Sequence, residues 1–258
     1  MEYIHLIGVL VGLLVLNEVF RRSKWATIGF FFILPFALFL TWMNADIDSF
    51  FRYVKLFSVI FAVVWFTIFR YTKWDKKKYF KIVAAAILIV NILEAVIQDF
   101  SNFNLPGMLN AFAGLFSIIA LPSWKFIKTD YDSKYKDLIW ENMTMLWIVA
   151  YTVWNFVFIY HNLPDSAAYA IMMLLACFIP ALFKTSIWMQ ARAFTLATWM
   201  MYLFTFRSFM ARQIIYLPTN DLSLLLAASI SLILNIFAFV EKRKLSKNRA
   251  SEAEVAAN

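Results

Sequence analysis

The side chains that carry most enzyme chemistry are scarce in this sequence of 258 residues. Its single cysteine, Cys177, has no partner for an intramolecular disulfide and no companion thiols for a zinc or iron–sulfur site. The two histidines, His5 and His161, do not form the HExxH pair of a metalloprotease, and the five glycines form no phosphate-binding loop. There is no GxSxG motif, and every lysine lies at the end of an apolar run. These absences argue against most known membrane catalysis, and we expect neither a metal nor a cofactor.

Charge is also scarce, at 16% of the residues, whereas 63% are hydrophobic and the mean hydropathy is +0.70. Soluble domains carry roughly 25% charged residues, so this composition excludes a typical soluble protein. The apolar residues form blocks of about 16–22 residues, the length of a transmembrane helix. We predict an all-α, polytopic bundle in one domain over 1–240, followed by a disordered basic and polar cytoplasmic tail at 241–258. About nine spans are expected, at roughly 3–20, 25–43, 54–70, 80–99, 107–123, 138–160, 166–183, 188–206 and 222–240.

Most of the 24 lysines and arginines lie in short joints that would share one side of the membrane. They cluster at 21–24, 70–81, 125–136 and 242–249. The positive-inside rule then predicts an outward N-terminus and a cytoplasmic C-terminus. We expect a multi-pass protein of the plasma (inner) membrane of a bacterium. Because the net charge of +8 is spread over several joints, it indicates contact with lipid headgroups and no binding of nucleic acid.

Polar side chains follow one face of the fourth, sixth and eighth predicted spans, which all run in the same direction. In the sixth span, Tyr151 and Asn155 fall within about 80° of Glu141 when placed on a helix. Unpaired polar groups in hydrocarbon are costly, so these stripes are expected to face one another across a central cavity. The side chains predicted to line it are Asn91, Glu94, Gln98, Glu141, Trp147, Tyr151, Trp154, Asn155, Arg192, Trp199 and Tyr202.

Two ion pairs are predicted at different depths of this bundle, because an unpaired charge inside a membrane is costly. Glu141 and Arg192 both lie within about two turns of the cytoplasmic surface, and we expect them to approach each other or to share water. Glu94 lies in the outer half of its span, where Arg207 is its expected partner.

Two segments resemble an uncharacterised bacterial family of multi-pass membrane proteins. They are ILEAVIQDF at Ile92–Phe100 and YTVWNFVFIYHN at Tyr151–Asn162. The resemblance implies a membrane location and no particular activity, so no site residue is taken from it.

A pocket of Trp, Tyr, Asn, Thr, Glu and Arg side chains suits a small polar or aromatic solute. We therefore expect a transporter or permease, coupled to protons through Glu94, whose partners are the lipid bilayer and that solute. A competing explanation is that the polar stripes only hold the bundle together. A ligand-sensing or accessory protein would need a second copy or a partner subunit, and a membrane enzyme acting on lipid would need a lateral opening between spans.

Overall fold

The computed structural model describes residues 2–45 and 50–257, and most of them are helical. The helices are α1 (Glu2–Arg22), α2 (Lys24–Ile28), α3 (Leu34–Met43), α4 (Phe50–Tyr71), α5 (Lys78–Ser101), α6 (Leu105–Ala120), α7 (Met145–Asn162), α8 (Ala167–Phe183), α9 (Trp188–Thr205), α10 (Arg207–Met210) and α11 (Asp221–Ala257). A π-helical turn just before Pro35 joins α2 to α3. Two short strands, β1 (Ile127–Thr129) and β2 (Leu138–Trp140), form an antiparallel hairpin between α6 and α7. The prediction of a helical bundle is confirmed, with this hairpin as an addition.

Six helical segments of the described chain are long and apolar enough to cross a membrane. They are Tyr3–Arg22, Lys24–Met43, Arg52–Tyr71, Lys78–Ser101, Pro164–Phe183 and Asp221–Arg249. The other predicted spans coincide with α6, α7 and α9. Helix α6 is short, at 16 residues, whereas α7 and α9 carry polar side chains that lower their hydropathy. Most of α9 is buried among other helices, so protein neighbours, and not lipid, set its composition.

The outward faces of several long helices carry large apolar side chains. Ile4 in α1, Phe36 in α3 and Phe183 in α8 are each more than three-quarters exposed. Soluble proteins rarely expose apolar surface on several faces, because water solvates it poorly. Lipid solvates such surface readily, so these faces fit helices that lie in a membrane.

The structure differs from the predicted sixth span, which was expected to begin at position 138. In its place β2 pairs with β1, and Trp140 lies opposite Ile127 with both side chains buried. Asn142 follows with a left-handed φ of 66°, which turns the chain out of the strand. Thr144 then caps α7 by accepting a hydrogen bond from the backbone N–H of Trp147 at 3.2 Å. The residues just after position 138 therefore lie outside the helix on which the sequence pattern placed them.

The last helix also continues beyond its predicted end near position 240. The tail that was expected to be disordered is helical through Ala257. Lys242 Nζ donates to the backbone carbonyl of Ile119 at 2.5 Å, and Arg249 Nη2 donates to Asn142 Oδ1 at 2.6 Å. These two contacts tie the extension to the rest of the bundle, and its Ala, Lys and Glu content favours helix.

The buried apolar side chains form two clusters that meet in the middle of the bundle. The first cluster is built mainly by α5, α6, α7, α11 and the hairpin. The second is built mainly by α1, α3, α4, α8 and α9. Polar side chains collect at the junction of the two clusters, which positions the site described next.

Candidate functional site

A cavity of about 530 Å³ lies at this junction, surrounded by α4, α5, α7, α8 and α9. Its polar lining consists of Arg52, Lys55, Asn91, Glu94, Gln98, Ser101, Asn155, Ser166 and Arg192. Its apolar lining includes Phe158, Met173, Leu196, Trp199, Met200 and Leu203. Partly exposed side chains rim one end, where Arg52 lies 3.9 Å from Asp165. A volume of this size falls within the range of about 300–1,000 Å³ that is typical of small-molecule sites.

Several side chains predicted to line a central cavity do line this one. They are Asn91, Glu94, Gln98, Asn155, Arg192 and Trp199. The three from α5 lie on one stripe because their spacings of three and seven residues repeat the helical turn. A narrower void of about 40 Å³ also touches Asn91 and Arg192, and Tyr151 forms part of its wall. The polar faces of α5, α7 and α9 therefore converge.

Glu94 forms an ion pair with Lys55 from α4, and both side chains line the cavity. The Lys55 Nζ atom donates to Glu94 Oε2 at 2.8 Å, and both side chains are about one-fifth exposed. The structure thus shows Lys55 as the partner of Glu94, whereas Arg207 is the partner expected from the sequence. The helical stripe predicted that Glu94 would line the cavity, but the sequence did not indicate which helix lies beside α5.

Arg192 lies at the closed end of the cavity, and its side chain is buried. Its Nη2 donates to Asn155 Oδ1 at 3.2 Å, and its Nε donates to the hydroxyl of Tyr151 at 3.4 Å. The Nη1 atom has no hydrogen-bond partner among the described residues. No carboxylate within 2–45 and 50–257 forms an ion pair with this guanidinium, and both of its partners are neutral.

The predicted pairing of Glu141 with Arg192 is wrong. Glu141 follows β2 in the hairpin, where its Oε1 lies 2.6 Å from Lys128 Nζ. Both side chains of that pair are more than 40% exposed, so Glu141 does not line the cavity. The cause is the hairpin, which removes Glu141 from the polar face of α7.

The remaining aromatic candidates have structural contacts outside the cavity. The indole N–H groups of Trp147 and Trp154 donate to backbone carbonyls of α6 at 2.9 and 3.0 Å. These two tryptophans thus fasten α7 to α6. Tyr202 lies next to His5, whose Nε2 is 2.8 Å from the tyrosine hydroxyl. Neither Trp154 nor Tyr202 lines the cavity.

A buried carboxylate that is not among the predicted lining residues joins three helices near the rim. Asp99 is fully buried and accepts hydrogen bonds from Asn110 Nδ2 at 2.7 Å and from Asn162 Nδ2 at 2.6 Å. His161 Nδ1 lies 3.7 Å from the same carboxylate. These contacts link α5, α6 and the end of α7. Asn162 begins an Asn-Leu-Pro motif that also occurs at Asn104, but Asn104 contacts His161 Nε2 at 3.1 Å, so the motif did not signal the Asp99 contacts.

A second polar cluster, at the hairpin end, was not predicted. Asp137 is buried and accepts hydrogen bonds from Arg21 Nε at 2.9 Å, Arg21 Nη2 at 3.0 Å and Gln190 Nε2 at 3.3 Å. Burial alone raises the pKa of the Asp137 carboxyl, but the hydrogen bonds and charge of Arg21 bring this pKa below its usual value. An acidic residue directly before the apolar run of β2 was the available signal.

Arg70 completes that cluster. The sequence treated it as an orientation signal, yet its side chain is fully buried. Its guanidinium donates to the backbone carbonyls of Phe20, Arg21, Tyr135 and Lys136 at 2.6–3.3 Å. The end of α1 and the loop before β2 are thereby fastened to α4, and we assign this cluster a structural role.

The described residues contain no group of three or more His, Cys, Asp or Glu side chains placed to hold a metal ion. The side chains that line the cavity supply hydrogen-bonding groups, the Lys55–Glu94 ion pair, the guanidinium groups of Arg52 and Arg192, and an apolar wall.

A family model matches residues 1–255, nearly the whole chain. The chain belongs to DUF5692, a family of unknown function. This agrees with the resemblance of two segments to an uncharacterised family, and the match includes all five helices around the cavity. No curated protein and no solved structure matches the chain.

Proposed function

We propose that the protein is an integral transporter or permease of the plasma membrane, and that the cavity at the junction of the two clusters is its solute-binding site. The observation that supports this is the cavity itself, in which polar side chains from α4, α5, α7 and α9 face about 530 Å³ of space. Helices held together only by polar contacts would pack to close to the density of an organic crystal and leave little volume between them.

The predicted orientation gives the cavity a direction. If the N-terminus lies outside, the rim at Arg52 and Ser101 faces outward and Arg192 lies deeper, toward the cytoplasm. On the cytoplasmic side of Arg192, an aromatic layer closes the cavity. In this layer the ring centroids of Tyr151 and Trp188 are 4.7 Å apart. Transport then requires this layer to open, and a rigid-body motion of one apolar cluster against the other would do so.

A ligand-sensing protein is the second candidate, and the same aromatic layer favours it. Trp147 packs against both Tyr151 and Trp188, with ring centroids 5.3 and 5.2 Å apart. A sensor needs a cavity that is open on one side only, and it passes the binding signal to a partner subunit.

Uptake by the full chain in proteoliposomes tests the proposal and separates the two candidates. A panel of labelled small organic acids, amides and amines is offered, with protein-free vesicles as the blank. Leu203→Trp fills the cavity, whereas Leu40→Trp adds the same ring to a side chain that is 72% exposed. Transport predicts uptake that Leu203→Trp abolishes and Leu40→Trp preserves. Binding of a labelled compound to the proteoliposomes without its uptake supports a sensor. If no compound is either bound or taken up, the proposal of a solute site is refuted.

A further inference from the structure

Arg192 is a buried cation whose charge no described side chain balances. Removing a guanidinium from water costs several kcal/mol unless a carboxylate or another anion compensates. The groups that bond to it, the Tyr151 hydroxyl and the Asn155 amide oxygen, are dipoles without net charge. The positive charge of Arg192, at the closed end of the cavity, therefore has no negative charge bonded to it among the described residues.

The hydrogen-bond donors of Arg192 that remain unused indicate which chemical group a ligand would need in order to bind it. A guanidinium has five N–H donors, and two are used by Tyr151 and Asn155. Both donors of Nη1 are unused within the described chain, although that atom is fully buried. A planar carboxylate matches the fork of donors that a guanidinium presents, and it carries one charge to balance one charge.

The other charges that line the cavity are already compensated. Glu94 neutralises Lys55 at 2.8 Å, and Arg52 lies near Asp165 at the rim. Arg192 is thus the one lining cation without an acidic neighbour among the described residues. One unbalanced charge calls for a singly charged ligand, and a dianionic phosphate would bring one negative charge too many.

The rest of the cavity is apolar beside Arg192. Phe158, Met173, Trp199 and Met200 form a wall that suits an aliphatic or aromatic body. Trp199 is itself held by stacking on Tyr169, with ring centroids 5.2 Å apart. The cavity therefore combines one anion anchor with a hydrophobic surface.

We infer that the ligand of this cavity is a monocarboxylate with an apolar or aromatic body, and that Arg192 binds its carboxylate while Asn155 and Tyr151 hold the guanidinium in place. The inference rests on the proposed role of the cavity as a solute site, and it narrows the solute to one chemical class.

Binding to the purified full chain, in nanodiscs of neutral phosphatidylcholine, tests this inference. The probes are 3-phenylpropionate, its neutral amide and inorganic phosphate, and the readouts are calorimetric titration and tryptophan fluorescence. The carboxylate should bind at least about 30-fold more tightly than the amide, the range expected for a buried charge-assisted hydrogen bond. Arg192→Gln should remove that preference, because glutamine carries no charge to favour the acid over the amide. Arg22→Gln, at an arginine that is 59% exposed and does not line the cavity, is the control and should change neither affinity by more than about threefold.

A second variant keeps the test informative if Arg192→Gln does not fold. Asn155→Asp places a carboxylate where the amide oxygen lies 3.2 Å from Arg192 Nη2. It should raise the melting temperature and abolish the preference for 3-phenylpropionate over its amide, because the new carboxylate neutralises Arg192. Equal affinity of the wild type for acid and amide, or a preference for the acid that survives Asn155→Asp, would overturn the inference while leaving a solute site intact. Binding of phosphate alone would also overturn it, and failure of all three probes to bind would count against the proposed site itself.

Discussion

Replacing Asp137 by asparagine should destabilise the protein by about 2–3 kcal/mol at neutral pH. The carboxylate is 1% exposed and accepts two hydrogen bonds from Arg21, at 2.9 and 3.0 Å. Breaking a fully buried ion pair costs about 3–5 kcal/mol, because the remaining charge loses its partner. The expected value is lower here since the Arg21 side chain is 24% exposed and keeps Glu18 at 3.2 Å.

The stabilisation that Asp137 provides should depend on pH and should decrease in acid. Because the pKa of Asp137 is below its usual value in the folded chain, its contribution is fully present above the unfolded value of about 3.9. That contribution is lost as the pH falls through the folded pKa. Wild type and Asp137→Asn should therefore differ at pH 7 and converge in acid.

Reversible unfolding in mixed micelles, followed by tryptophan fluorescence from pH 8 down to a pH below the folded pKa of Asp137, provides the measurement. Asp132→Asn is the matched control, because Asp132 is exposed in the same loop and should change stability by less than about 0.5 kcal/mol. Equal stability of Asp137→Asn and wild type at pH 7, or a difference that persists in acid, would refute the reasoning about this buried carboxylate.

Three further outcomes are expected. Gly114→Ala should lower stability by about 1–3 kcal/mol in the same assay, because a Cβ there would lie 2.8 Å from the Trp154 indole nitrogen. Gly12→Ala, where the added Cβ meets nothing within 4 Å, is its control and should not destabilise. Glu141→Gln should change stability by less than about 1 kcal/mol, since its lysine partner is 47% exposed, and a larger loss would contradict its surface position. Glu94→Gln should abolish pH-driven uptake in proteoliposomes while leaving solute counterflow, and unchanged pH-driven uptake would exclude proton coupling at this residue.

The local regularities of single helices could be predicted from the sequence. The stripe of Asn91, Glu94 and Gln98 depends only on helical periodicity, and it faces the cavity as expected. Long apolar runs likewise predicted helices, because a membrane demands that every backbone polar group be satisfied within its own segment. Six described helical segments are long and apolar enough to cross a membrane, whereas α7 and α9 carry polar side chains, and neighbouring helices bury most of α9.

The choice of partners was decided only by the tertiary structure. Glu94 pairs with Lys55 because α4 lies beside α5, and Arg192 meets Asn155 because α9 faces α7 across the cavity. Glu141 lies away from both because a hairpin replaces the start of a predicted span. Periodicity along one helix fixes which side chains share a face, whereas the neighbour of that face depends on contacts between residues tens of positions apart. Hydrophobic burial, which is non-directional, leaves that arrangement open until the whole chain has packed.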